Sequence, residues 1–227
     1  MIPRPRNPLI VALDLSDLGR AESLAGSLAG DVGVLKVGLE LFSSHGPAAV
    51  ERIGAHGPVF LDLKLHDIPT TVERAARNVA RLGVAMFTIH ALGGEAMVAA
   101  AVRGAAQGSE ERGHAMPIVL AVTVLSSLSG EELASPASLA FEARAAGATG
   151  AVVSGEDVRV VREVTGEEFC LVVPGIRPAG SNGHDQVRIL TPEEAVEAGA
   201  DYLVIGRPIT EAPDPAGAAR SILATVR

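Results

Sequence analysis

Eight short apolar runs rich in β-branched residues, separated by stretches of helical period, constrain this chain more than any other feature of its sequence. The runs are Leu9–Leu13, Val32–Val37, Val59–Lys64, Met86–His90, Ile118–Val124, Ala151–Ser154, Cys170–Val173 and Tyr202–Ile205. Between them, segments such as Thr70–Leu82 and Gly94–Ala106 are rich in Ala, Glu and Arg, with apolar residues at three- and four-residue steps. Strands that are apolar almost throughout are buried on both faces, as in a parallel sheet covered by helices. At 227 residues, with no Gly-x-Gly-x-x-Gly after the first strand, closure into a barrel is favoured over a doubly wound sheet. The expectation is an α/β fold, a (β/α)8 barrel of the TIM type, forming one domain over residues 1–227.

Composition narrows the function classes. The net charge of −8 gives no bulk attraction to nucleic acid or an anionic membrane, so an anionic substrate needs a local basic pocket. The single cysteine, Cys170, allows no intrachain disulfide and no cysteine-rich metal site; it begins an apolar run and reads as core. The apolar run near the amino terminus is stopped by Asp14, too early for a signal segment, and nothing approaches a bilayer span. A cytoplasmic location is expected.

Fold class assigns no chemistry, but barrel sites lie at the carboxyl ends of the strands. There the first run ends at Asp14, the second carries Lys36, and the third reads Phe60-Leu61-Asp62-Leu63-Lys64-Leu65-His66-Asp67. Side chains alternate along a strand, so Leu61, Leu63 and Leu65 share the helix-facing side while Asp62 and Lys64 point inward. Ile10, Ala12 and Asp14 form one face, as do Val34 and Lys36, and four charges from three adjacent strands converge, with Asp67 just beyond. A structural ion-pair network is the alternative. Burying such an array costs on the order of several kcal/mol, and apolar residues would stabilise as well, so a functional role is preferred. Pro69 suits a first helical turn, and Thr70 or Thr71 would cap it.

The seventh and eighth runs lead into Pro174-Gly175-Ile176-Arg177-Pro178 and Gly206-Arg207-Pro208-Ile209. Each offers a glycine that lets backbone approach an anion and an arginine that grips phosphate with two donors, where barrels often bind phosphate. The long connection from Arg177 to about Leu190 suggests a lid, with Gln186 a neutral donor and Arg188 a surface residue. Ser126 either hydrogen-bonds a heterocycle or caps the next helix. His45, His56, His114 and His184 read as surface or loop, His66 has no assigned role, and His90 is either pocket or core. No histidine cluster has metal-ligand spacing, and Lys36 and Lys64 already supply positive charge among the aspartates. No metal and no cofactor are expected.

The sequence Asp62-x-Lys64-x-x-Asp67-Ile68-Pro69-x-Thr71, preceded by Asp14 and Lys36, resembles the signature of the orotidine 5′-phosphate decarboxylase family. The resemblance continues through Val122-Thr123-x-Leu125-Ser126, Pro174-Gly175-Ile176-Arg177, Gln186 and Tyr202-x-Val204-x-Gly206-Arg207-Pro208-Ile209, covering nearly the whole chain in order. It implies cofactor-free decarboxylation of orotidine 5′-monophosphate to uridine 5′-monophosphate in de novo pyrimidine biosynthesis. By that resemblance Asp14 and Lys36 bind ribose hydroxyls, Lys36 also joining the charge array. Asp62 faces the substrate carboxylate, and Lys64 protonates C6 as carbon dioxide leaves. Asp67, Ile68 and Thr71 reach into a neighbouring subunit's site, so a homodimer with shared sites is implied. Ser126 reads the pyrimidine, where many relatives carry threonine. Gln186, Arg207 and the Gly206 and Arg207 amides hold the 5′-phosphate, with Arg177 near the lid. Two rivals remain: a magnesium-dependent keto-sugar-phosphate barrel with the same strand-3 signature, which carries glutamate where this chain has Lys36, and a non-catalytic nucleotide-binding barrel.

Overall fold

In the computed structural model, which describes residues 5–123, 135–177 and 190–226, eight strands close into a parallel barrel in sequence order. They are β1 (Leu9–Ala12), β2 (Val34–Gly38), β3 (Val59–Leu65), β4 (Met86–His90), β5 (Ile118–Val122), β6 (Gly150–Val152), β7 (Cys170–Pro174) and β8 (Tyr202–Ile205). Around them lie α1 (Leu18–Leu28), α2 (Leu39–His45), α3 (Pro47–Gly54), α4 (Pro69–Ala80), α5 (Gly94–Arg112), α6 (Pro136–Ala145), α7 (Val158–Thr165), α8 (Pro192–Ala198), α9 (Arg207–Thr210) and α10 (Pro215–Thr225). The expected (β/α)8 barrel is the observed one. Strand ends differ from the apolar runs by one or two residues; β2 begins at Val34 rather than Val32, and β6 stops at Val152. No helix among the described residues is long and apolar enough to cross a membrane.

Two apolar layers explain the near-continuous hydrophobicity of the strands. Outward-facing Leu9, Val11, Leu35, Val37, Leu61 and Phe87 pack under the helices. Inward-facing Ile10, Val34, Phe60, Met86, Leu120 and Val172 fill the barrel. Cys170 lies in that inner layer, and burial pushes its thiol pKa up, so it is core as expected.

Local chemistry sets the helix boundaries. Pro69 occupies the first turn of α4, as its fixed φ favours. The residue preceding it, Ile68, is the N-cap and makes no side-chain cap bond, so neither Thr70 nor Thr71 fills the capping role considered above. Thr191 and Glu194 form a reciprocal capping box at α8: Thr191 Oγ1 accepts from the Glu194 amide, and Glu194 Oε2 from the Thr191 amide.

One ion pair does purely structural work at the amino end of the barrel. The Arg162 guanidinium donates to Asp201 Oδ2 at 2.7 Å and to the carbonyls of Gly166, Phe169 and Gly199. The same Asp201 oxygen accepts from the Leu171 amide. This fastens α7 to the starts of β7 and β8, away from the strand ends where chemistry is sought.

Helices α4 and α5 pack closely where Gly104 and Gly108 lie one turn apart. A Cβ on Gly104 would collide with the Glu73 carbonyl oxygen, and one on Gly108 with that of Arg77. On helix propensity alone Gly104→Ala would stabilise by about 1 kcal/mol. We expect instead a loss of about 1–3 kcal/mol from overpacking, measured by denaturant unfolding. An unchanged or raised midpoint would contradict the contact.

Candidate active site

The carboxyl ends of β1, β2 and β3 deliver a chain of alternating charges. In the ladder Lys36 is level with Ala12 and Phe60, and Gly38 with Asp62, so Asp14 and Asp62 stand one inward-facing step beyond Lys36 on the strands that flank it. The Lys36 ammonium donates to Asp14 Oδ1 at 2.9 Å and lies 3.6 Å from Asp62 Oδ2. The Lys64 ammonium meets both Asp62 oxygens, at 2.8 and 2.9 Å. The order is therefore Asp14, Lys36, Asp62, Lys64, and the four charges converge as the sequence reading expected. Lys36 is buried and Asp62 nearly so, whereas Asp14 is half exposed at the rim.

Gly38 makes the first pair possible. A Cβ there would stand 2.8 Å from Asp14 Oδ1 and 3.1 Å from Lys36 Nζ. The sequence signal for it was only a glycine two residues after a strand lysine.

Burial works against the charged form of Asp62. Lys36 and Lys64, with a hydrogen bond from Thr88, outweigh it and hold the carboxyl below its ordinary pKa. Asp62 is thus a carboxylate throughout the neutral range.

Strict strand alternation does not continue to Lys64. Leu61 pairs with Phe87, but the next pairing is Leu65 with Ile89, so four steps along β3 match two along β4. Two additional residues bulge out, and Lys64 has φ 51°, in the left-handed region costly for a side-chain-bearing residue. Leu63 and Leu65 still pack on the outer core, only partly buried. Asp62 and Lys64 still meet inside, but through a bulge rather than a regular pleat.

The array borders a cavity of about 330 Å³. Phe60, Val122, Val152 and Val204 form its apolar walls, and Asp14, Lys36, Asp62 and Lys64 line one side. Gly175 and Arg177 after β7, and Gly206 and Arg207 after β8, the strand beside β1, also line it. The two glycine–arginine segments thus flank the cavity with the charge array. Ser154, at the end of β6, also lines it and was not anticipated, since a lone serine after a short run carries little signal.

Asp67, Ile68 and Thr71 are not brought into this cavity by their own chain. All three are exposed, and the Asp67 carboxylate accepts from the Ile68 amide at 2.7 Å. Ser126, Gln186 and Arg188 lie outside the described residues. His90 does not line the cavity; its ring stands 5.2 Å from that of His66. Burial first, then the neighbouring His66 and Lys64, lower the His90 pKa and favour its neutral form. Among the described residues no group of three or more His, Cys, Asp or Glu is placed to hold a metal ion.

Comparisons with known proteins agree with this fold. The model of the orotidine 5′-phosphate decarboxylase / HUMPS family matches residues 7–222. An orotidine 5′-phosphate decarboxylase from Anaeromyxobacter sp. (strain K) is 51% identical over 97% of this chain and 99% of its own length. Another from Moorella thermoacetica is 47% identical over 97% of this chain and 92% of its own. The crystal structure of orotidine 5′-phosphate decarboxylase from Lactobacillus acidophilus superposes with a TM-score of 0.85 at 37% identity, covering 97% of this chain and 99% of that one. With a family match over nearly the full length and relatives of this identity, the chain belongs to the orotidine 5′-phosphate decarboxylase / HUMPS family.

Proposed function

We propose that this protein is a carboxy-lyase that converts orotidine 5′-monophosphate to uridine 5′-monophosphate in de novo pyrimidine biosynthesis, without metal or cofactor, in the cytoplasm. One observation carries the reading: the Lys64 ammonium, clasped by both oxygens of Asp62, stands at the wall of a cavity that two arginine-bearing loops also line. A substrate with phosphate at one end and a reacting carbon at the other fits that placement of charges.

Loss of carbon dioxide from orotate leaves an electron pair on C6, in the ring plane, where the π system cannot spread it. An electron sink is needed or the charge must be met electrostatically. In this proposal Lys64 meets it. The C6–carboxylate bond breaks, its electron pair stays on C6, and the ammonium proton passes to that carbon. The resulting amine is then reprotonated from water. The lysine attracts the transition state more than the ground state, which is the condition for acceleration. Asp62 orients the ammonium and faces the departing carboxylate. Two carboxylates about 4 Å apart repel by roughly 4 kcal/mol at an effective dielectric of 20, and departure of carbon dioxide relieves this. Asp14 and Lys36 engage ribose hydroxyls, Ser126 the pyrimidine, and Gln186, Arg207 and the Gly206 and Arg207 amides the phosphate, with Arg177 beside the lid.

Lys36 argues against the magnesium-dependent sugar-phosphate reading. Its ammonium lies between Asp14 and Asp62, where a divalent cation would have to share the carboxylates, and it would repel one. A binding protein without catalysis could use Asp14 and Lys36 on ribose, but would gain nothing from a lysine held in a left-handed conformation and clasped by Asp62 at the cavity wall.

The exposed positions support a homodimer with shared sites. Leu39, Ile68 and Leu92 are 54, 67 and 46% exposed and follow β2, β3 and β4 at the same end of the barrel. Asp67 and Thr71 are exposed near Ile68 and do not line their own cavity. A second copy seated there would cover the apolar residues and receive Asp67, Ile68 and Thr71 at its own mouth.

Lys64→Ala is expected to lower kcat by at least about 10⁴-fold while product affinity stays within about threefold. Near-normal turnover would remove Lys64 from its role. Excess EDTA should leave the rate of loss of orotate absorbance unchanged; inactivation reversed by magnesium would favour the metal-dependent reading. Asp67→Ala and Lys64→Ala proteins, each inactive, should recover about a quarter of wild-type activity when mixed equally, since random exchange gives half heterodimers with one intact site each. Absence of recovery despite demonstrated exchange would refute shared sites.

A further inference from the structure

Thr88, on the inward face of β4, is fully buried, and its hydroxyl is used in both directions. It accepts from the Lys64 backbone amide at 2.8 Å and donates to Asp62 Oδ1 at 2.9 Å. A hydroxyl has one proton and an amide can only donate, so the proton must point at the carboxylate. The bond pattern therefore has one possible direction.

The Lys64 amide needs this partner because of the bulge. Between Leu61 and Leu65 the β3–β4 ladder is interrupted, so the Lys64 amide falls in the irregular stretch of the ladder and is met there by the Thr88 hydroxyl. Its left-handed φ of 51° persists only where surrounding groups hold it. The same hydroxyl that fastens the backbone also fixes one oxygen of the carboxylate that grips the lysine ammonium. Backbone and side chain of Lys64 are thus tied to a single buried atom, once directly and once through Asp62.

We infer that Thr88 is a positioning residue for the Lys64–Asp62 pair, setting the aim of the ammonium without itself touching substrate. The inference rests on the decarboxylase reading for its catalytic consequence. Phosphate and ribose contacts lie on other strands, so the loss should fall on kcat and leave KM alone.

The test compares wild type with Thr88→Val, which keeps shape and loses the hydroxyl, and Thr88→Ser, which keeps the hydroxyl. Each is measured for steady-state decarboxylation of orotidine 5′-monophosphate and for hydrogen exchange at the Lys64 amide by NMR. Thr88→Val should lower kcat roughly 10- to 100-fold with KM within about twofold, and should speed Lys64 amide exchange at least about 10-fold. Thr88→Ser should restore both. Thr88→Ala serves in place of Thr88→Val should that chain not fold. A hydroxyl-free variant with kcat within about twofold of wild type, unchanged exchange at Lys64, or a serine variant as impaired as valine overturns the inference. Wild type inert toward the nucleotide sinks the decarboxylase reading instead, and the exchange comparison still decides whether Thr88 holds Lys64.

Discussion

The Asp62 carboxylate holds this site together. Two lysine ammonium groups brought into the mouth of one barrel repel, and neither is stable there without a counter-charge within hydrogen-bonding reach. Asp62 supplies it to both: it is hydrogen-bonded to Lys64 through both oxygens and lies 3.6 Å from Lys36. Asp14 completes the balance from the rim. Remove the central carboxylate and the array loses its reason to be compact. Its depressed pKa is the consequence, since the two cations stabilise the charged form more than burial penalises it.

The barrel makes such an arrangement affordable. Its inner and outer apolar layers run along the strands, and the charged side chains gather toward the two ends of the barrel. The two ends of the barrel use charge differently. At the amino end Arg162 and Asp201 are satisfied by each other and by backbone groups, and do not line the cavity at the other end. At the carboxyl end the charges line a cavity, and the backbone of Lys64 carries strain. Saturation marks the structural pair, and strain beside open volume marks the pair proposed to be functional.

The legible part of the sequence was whatever follows a simple period. Eight apolar runs with helical spacers could close only in a few ways, and alternation alone put Asp62 and Lys64 inside with Asp14 and Lys36 beside them. The bulge escaped that reading because nothing in Asp-Leu-Lys-Leu announces two additional residues; the misfit appears only when β4 is laid alongside. Thr88 escaped because a β-branched residue in a strand has an ordinary explanation, and its hydroxyl gains meaning only from the amide it faces. Gly38 likewise matters only once Asp14 and Lys36 are seen to need its space. Asp67, Ile68 and Thr71 were singled out by resemblance to the family motif, and a single chain leaves them at the surface.

The account turns on where the Lys64 ammonium points when a nucleotide fills the cavity. A crystal structure with uridine 5′-monophosphate bound measures this directly. Lys64 Nζ is predicted to lie roughly 3–3.5 Å from C6, with Asp62 still holding it and phosphate beside Arg207. An ammonium turned away from the ring, or a divalent ion standing between the carboxylates and the nucleotide, would contradict the account.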